Sequence, residues 1–118
     1  GNPVSCQVGF LQFVRPWIRM AMGDPNPFLP VLRARFDSTF SKREGRAEFV
    51  RVWVQLDHNG PIATLSGGQG SGNQVSMARS NGFVLLPEAE TTLSVGDEVH
   101  VQMFSNLLQP GSLPGFPW

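Results

Sequence analysis

Asp24-Pro25-Asn26-Pro27-Phe28-Leu29-Pro30 carries three prolines in seven positions. Each proline lacks an N–H and holds φ near one value, so neither a helix interior nor a central strand can run through this stretch. The chain is divided there, and its hydrophobic period differs on the two sides. Before the prolines, Val4, Val8, Leu11, Val14, Ile18 and Met22 recur at spacings of three and four, the period of one helix face. After them the period is two: Leu32, Ala34 and Phe36 alternate with Val31, Arg33 and Arg35.

The first side predicts a helix over residues 3–22. Asn2 is placed to cap it and Pro3 to fill the first helical position, where a missing N–H costs nothing. Pro16 should kink or split this helix, and Gly23 should end it. On the second side, Val50, Val52, Val54 and Leu56 share one strand face, with Phe49, Arg51, Trp53 and Gln55 on the other. A turn over 57–61 returns the chain through Ile62 to Leu65, which reads as a hairpin. One or two helical turns are expected in 73–80, a buried strand at Phe83 to Leu86 closed by Pro87, a turn over Leu93 to Glu98, and a last strand at Val99, Val101 and Met103. The expected fold is therefore mainly β: an N-terminal helix followed by a small all-β barrel or sandwich. Its parts are a helix over 1–23, a Pro-rich linker over 24–30, the β domain over 31–108 and an irregular tail over 109–118.

Nine basic and nine acidic residues give zero formal charge, which argues against a general nucleic-acid or polyanion binder. The charges are unevenly spread. Arg33, Arg35, Lys42, Arg43, Arg46 and Arg51 lie close together, so an anion site should draw on residues 33–51. The one cysteine, Cys6, has no His or CxxC partner; it is expected as a small buried apolar side chain in a reducing, cytoplasmic compartment. No stretch approaches the roughly 20 apolar residues of a membrane span. The opening Gly1-Asn2-Pro3, without an initiator Met, reads as the start of a piece of a longer protein.

Ser66-Gly67-Gly68-Gln69-Gly70-Ser71-Gly72 concentrates glycines in the way that lets successive N–H groups turn toward one anion; the other reading is a flexible surface loop. It lacks the lysine of a Walker phosphate loop, and no serine stands in a G-x-S-x-G elbow. His58 and His100 have no second ligand at metal spacing, so no protein-held transition metal is expected. Arg46 precedes one hairpin strand and the glycine loop follows the other. The hairpin can therefore bring a guanidinium fork and a cluster of amides together, as a tetrahedral oxyanion requires. A solvated hairpin tip is the plainer reading of the same charges.

An ordered series of short motifs resembles a known family. Gly1-Asn2-Pro3-Val4-Ser5, Phe13-Val14-Arg15-Pro16, Lys42 through Gly45-Arg46-Ala47-Glu48-Phe49-Val50-Arg51, Gly68-Gln69-Gly70-Ser71, and Val99-His100-Val101 with Phe104 are similar to the C-terminal part of the MoeA family. These are the molybdopterin molybdenumtransferases, related to the E domain of gephyrin.

The resemblance implies that residues 1–23 end an α/β molybdopterin-binding domain, in which Gly1, Asn2 and Pro3 help shape the pterin-phosphate pocket. The β domain then closes an active-site cleft, across a homodimer. The implied reaction hydrolyses adenylylated molybdopterin and inserts molybdate into the dithiolene, with magnesium held mainly by carboxylates outside this chain. Arg46 and Ser71 align with molybdate contacts of the family, with Gly68, Gln69, Gly70 and Arg51 as supporting anion donors. No catalytic residue and no metal ligand is expected within these residues, and the isolated chain should be inactive. A gephyrin-type peptide-binding module, with Phe49 and Trp53 as exposed anchors, is the alternative.

Overall fold

The computed structural model describes residues 3–67, 69 and 77–105, and side chains from residue 6 onward. Gly1, Asn2, Gly68, Gly70, Ser71 and the tail over 109–118 lie outside the described residues, as do 73–76 of the expected helical turns; Met77 and Ala78 are helical.

The N-terminal segment is one helical run with a change of winding at its middle. α1 (Pro3–Gly9) passes into a π-helical stretch (Phe10–Val14) and then into α2 (Arg15–Ala21). Pro16, buried at the first turn of α2, neither splits the helix nor ends it. A proline ring clashes with the carbonyl four residues earlier and offers it no N–H; the wider π turn, closed by Arg15 N–H to Phe10 O, absorbs this conflict. The helix ends at Gly23, which takes φ +83°. There Gly23 N–H donates to Met20 O at 3.0 Å and Asp24 N–H to Arg19 O at 3.0 Å, the paired bonds of a Schellman cap.

Beyond the linker seven strands follow among the described residues: β1 (Val31–Phe36), β2 (Phe40–Ser41), β3 (Glu48–Asp57), β4 (Gly60–Leu65), β5 (Gly82–Leu86), β6 (Thr92–Leu93) and β7 (Glu98–Met103). Five of them close a barrel in the order β1-β4-β3-β5-β7, and β2 pairs with β6 beside it. Only β1 and β4 run parallel; the other barrel pairs are antiparallel. The short β2–β6 pair was not expected, since two residues show no period and Leu93 reads as part of a turn.

Alternation fills the barrel. Ala34, Phe36, Val50, Val52, Val54, Ala63, Val84, Leu86, Val99, Val101 and Met103 point inward and form one core, which Leu93 joins from β6. Each large side chain so buried stabilises the fold by about 1.5–3 kcal/mol before entropy is counted. Leu56 departs from the expected face and is exposed. β5 pairs with β3 only as far as Val52, so the last residues of β3 project past the barrel rim with β4 as their one neighbour.

A second, smaller core lies on the outside of the barrel. Met77 and Phe83 are buried there, with Val8, Leu11, Phe49 and Phe104 packed on them. Phe83 meets Phe49 edge-on at 5.8 Å and Phe104 at 4.6 Å between ring centroids. The helix thus docks through Val8 and Leu11, and the Gln12 amide donates to Gln102 Oε1 across the junction. Later residues of the expected stripe face solvent: Val14, Ile18 and Met22 are exposed, together with Phe10, Phe13 and Trp17. Cys6, expected in a core, is also exposed, because Val8 and Leu11 take the contact that the face of α1 makes.

Candidate functional site

The six clustered cations separate in space. Arg33 and Arg35 stand on the outer face of β1 and pair with Glu98 at 3.6 Å and Asp57 at 3.5 Å. Arg51 is built into the barrel wall. Lys42, Arg43 and Arg46 remain together on the connection from β2 to β3, where with Glu44, Gly45 and Glu48 they line a concavity of about 540 Å³.

That connection is held in place by backbone bonds. Lys42 N–H donates to Thr91 O at 2.7 Å and Gly45 N–H to Glu88 O at 3.3 Å, so it lies against the segment joining β5 to β6. The Lys42 ammonium reaches Glu88 O at 3.3 Å and Arg43 O at 3.5 Å, tying it to both sides of this contact. Gly45 takes φ +110°, a conformation that an L side chain rarely adopts. Arg46, one residue on, is exposed and has no ion-pair partner among the described residues. Three cationic side chains against two carboxylates around one concavity are suited to an anion.

The glycine loop leaves β4 at the end of the hairpin where β3 begins. The ladder pairs Val52 with Leu65, and Ser66 N–H then donates to Arg51 O at 3.3 Å. Gly67 turns the chain with φ +99°. Gln69 folds its side chain back onto β3: Oε1 accepts from Arg51 N–H at 2.7 Å, and Nε2 donates to Arg51 O at 3.1 Å and Gly67 O at 3.0 Å. The beginning of the glycine loop and the strand that follows Arg46 are therefore joined by direct bonds.

Arg51 was expected on an outward face and is only 3% exposed. Its cross-strand neighbour is Phe83 of the outer core, so the side of β3 that a bare barrel would show to water is covered here. Burial holds its guanidinium pKa below the ordinary value, and the charge of Glu48 works in the opposite direction. Phe49 and Trp53, expected as exposed anchors, are half-buried, Phe49 against Phe83.

Two buried polar residues had no signal in the sequence. Ser66 Oγ is buried at the loop entrance, with no hydrogen-bond partner among the described residues. Asn81 is fully buried, and its amide serves the β3 backbone at Val54. A serine and an asparagine beside glycines read as turn residues, and only the closure of strands around them reveals their burial.

Of the expected site residues, Arg46, Arg51 and Gln69 are described, and all three belong to β3 or its immediate surroundings. Arg51 and Gln69 are in contact, and Arg46 is exposed on the connection two residues before the same strand. Pro3 begins α1. Among the described residues no three His, Cys, Asp or Glu side chains come together, and no helix is long and apolar enough to cross a membrane.

The sequence matches the family model of the MoeA C-terminal region (domain IV) over residues 33–104. It is 34% identical over 101 residues to molybdopterin molybdenumtransferase 2 of Mycobacterium tuberculosis, covering 86% of this chain and 24% of that protein. The molybdopterin molybdenumtransferase of Staphylococcus aureus is 30% identical with the same coverage. Among solved structures, the molybdopterin biosynthesis moeA protein of Pyrococcus horikoshii OT3 superposes with a TM-score of 0.72 at 28% identity, over 88% of this chain and 26% of that one. A molybdenum cofactor biosynthesis protein of Pyrococcus furiosus gives 0.72 at 29% identity, over 88% and 36%. The chain spans about a quarter of the length of the curated relatives it matches. With a family model matching residues 33–104, more than half of its length, the chain belongs to the MoeA C-terminal region (domain IV) family.

Proposed function

We propose that this chain is the C-terminal region of a molybdenum cofactor biosynthesis enzyme and supplies one wall of its molybdate site. The parent inserts molybdate into adenylylated molybdopterin with release of AMP. Arg46 and Ser71 contact the molybdate, and the wall faces the partner subunit of a homodimer. Gly1, Asn2 and Pro3 border the molybdopterin pocket of the preceding α/β domain. The observation that carries this reading is the concavity of cationic side chains around Arg46 on the connection leading into β3, the strand to which the entrance of the glycine loop is bonded at Arg51.

The chemistry agrees with that role. Molybdate is a tetrahedral dianion and accepts hydrogen bonds from guanidinium, hydroxyl and backbone N–H groups. The same donor set does not suit Mg²⁺, which takes carboxylate, carbonyl and water oxygens in an octahedron. Lys42, Arg43 and Arg46 would repel it, so the cation of this reaction belongs to the other domains and to substrate phosphate. The helix fits the reading as well. Phe10, Phe13, Trp17 and Ile18 form an exposed apolar surface of the kind that a neighbouring domain covers. Without that domain the chain is expected to be inactive.

The test is AMP release by the full-length protein from adenylylated molybdopterin, followed as molybdate is titrated. Molybdate-dependent release supports the proposal, and release that ignores molybdate removes it. A second reading, a peptide-binding module, has one observation in its favour. Gln12, Val31, Phe49, Phe83, Leu85, His100 and Gln102 line a largely apolar cleft of about 250 Å³ between helix and barrel. A protein that binds a partner peptide through this cleft and releases no AMP under any condition would favour that reading.

A further inference from the structure

The Gln69 amide is spent before any anion arrives. A carboxamide carries two N–H donors, and those of Gln69 serve the carbonyls of Arg51 and Gly67. Its oxygen accepts from Arg51 N–H at 2.7 Å. No donor is left for an oxyanion, although the sequence alone suggests Gln69 as one. What the amide does instead is complete the β3–β4 ladder. β4 ends at Leu65; past that point Ser66 N–H still reaches Arg51 O at 3.3 Å, and the side chain of Gln69 adds a second donor there and supplies the acceptor of Arg51 N–H. The third bond, to Gly67 O, ties this rung to the turn that opens the glycine loop.

We infer that the side chain of Gln69 positions the oxyanion site, acting through the Arg51 backbone and the Gly67 carbonyl and not as a ligand. This rests on the molybdate reading given above. A loop rich in glycine has many conformations of similar energy, and a site needs one of them. Gln69 fastens the loop entrance at Gly67 to the strand that begins just after Arg46. The two halves of the site are then held in register by a side chain that touches no substrate.

Gln69→Met and Gln69→Arg test this in the full-length protein. Methionine keeps the length and removes the hydrogen bonds; arginine removes the acceptor of Arg51 N–H and adds a cationic fork. Positioning predicts that both variants weaken molybdate, by about tenfold or more, because losing a hydrogen-bonded anchor misplaces the groups it held. It also predicts faster hydrogen exchange at the Arg51 amide in both. A direct ligand predicts the opposite for Gln69→Arg, which would bind molybdate as tightly as the native protein or more tightly. Either that result or unchanged Arg51 exchange overturns the inference. If a variant fails to fold, the native protein decides. Molybdate should leave the Gln69 side-chain NH₂ resonances and their slow exchange unaltered, and displacement of those bonds by the anion overturns the inference. A native protein that binds no molybdate would instead remove the reading of the site itself.

Discussion

Asn81 and Val54 are joined by two hydrogen bonds that make a side chain do the work of a strand. Val54 N–H donates to Asn81 Oδ1 at 2.7 Å, and Asn81 Nδ2 donates to Val54 O at 2.8 Å. The same arrangement occurs between Gln69 and Arg51 on the other side of β3. β3 is longer than either neighbour's pairing, and at two points where a partner strand is missing an amide side chain replaces it. The Asn81 carbonyl also accepts from Phe104 N–H at 3.0 Å, so one residue ties β3 to the end of β7.

Replacing Asn81 therefore exposes no surface but orphans two buried backbone groups. Asn81→Leu, close in size, is expected to destabilise the chain by about 2–5 kcal/mol, since each unsatisfied buried group costs about 1–3 kcal/mol. Asn81→Asp keeps the acceptor for Val54 N–H but sets a carboxylate oxygen against Val54 O, and it too should destabilise. Urea denaturation of both variants checks this; a loss below about 0.5 kcal/mol would be the size of an ordinary surface change and would contradict the buried-rung account.

Gly82 follows Asn81 and is required for space. A Cβ there would lie 2.4 Å from Val101 Cγ1 and 3.2 Å from Gln102 O. Val101 is a β-branched core side chain with little freedom to move, so the strain must spread into the β5–β7 pairing. Gly82→Ala is expected to cost about 1–3 kcal/mol, the usual range for overpacking. Thermal unfolding measured beside Gly67→Ala separates the two causes: at Gly67 a Cβ meets no atom of the described residues within 4 Å, and the penalty there comes from its positive φ.

The end of the helix depends on pH through Asp24. Its Oδ1 accepts from Asn26 N–H at 2.8 Å and its Oδ2 from Arg19 Nη1 at 2.9 Å. The bond from Asn26, followed by that from Arg19, holds its pKa below the ordinary carboxylate value. A lowered pKa in the folded state means stabilisation that is complete above the unfolded value, near about 4, and lost as pH falls through the lower folded value. NMR titration of the Asn26 amide should show a transition below pH about 4 that Asp24→Asn abolishes. A transition at or above the ordinary carboxylate value would contradict the assigned bonds.

How far the sequence could be read differs from element to element, for physical reasons. Val50, Val52 and Val54 alternate with more polar neighbours, and that pattern gives both the strand and its inward face. Arg51 was misjudged by the same pattern, because alternation says which side of a strand faces the barrel and says nothing of a second layer outside it. That layer is built by Phe83, Phe104 and the helix, residues distant in sequence. Pro16 announced a disturbance of the helix, yet a π turn leaves no composition signal of its own. The donors expected at the site were legible as residue types. Whether each donor is available was not: Gln69 looked free until its partners on β3 were known.

The central claim is that Arg46 contributes to molybdate recognition. Arg46 is exposed on the connection leading into β3, in the concavity with Lys42 and Arg43, so truncation should leave the fold intact. The most direct measurement is molybdate-dependent AMP release by the full-length protein carrying Arg46→Ala. A charge-assisted hydrogen bond contributes about 1.5–3 kcal/mol, so the molybdate concentration for half-maximal release should rise at least about tenfold. Binding of adenylylated molybdopterin should change by less than about twofold, because the proposal assigns the lost donor to the oxyanion and not to the pterin. Unchanged molybdate dependence would contradict the account.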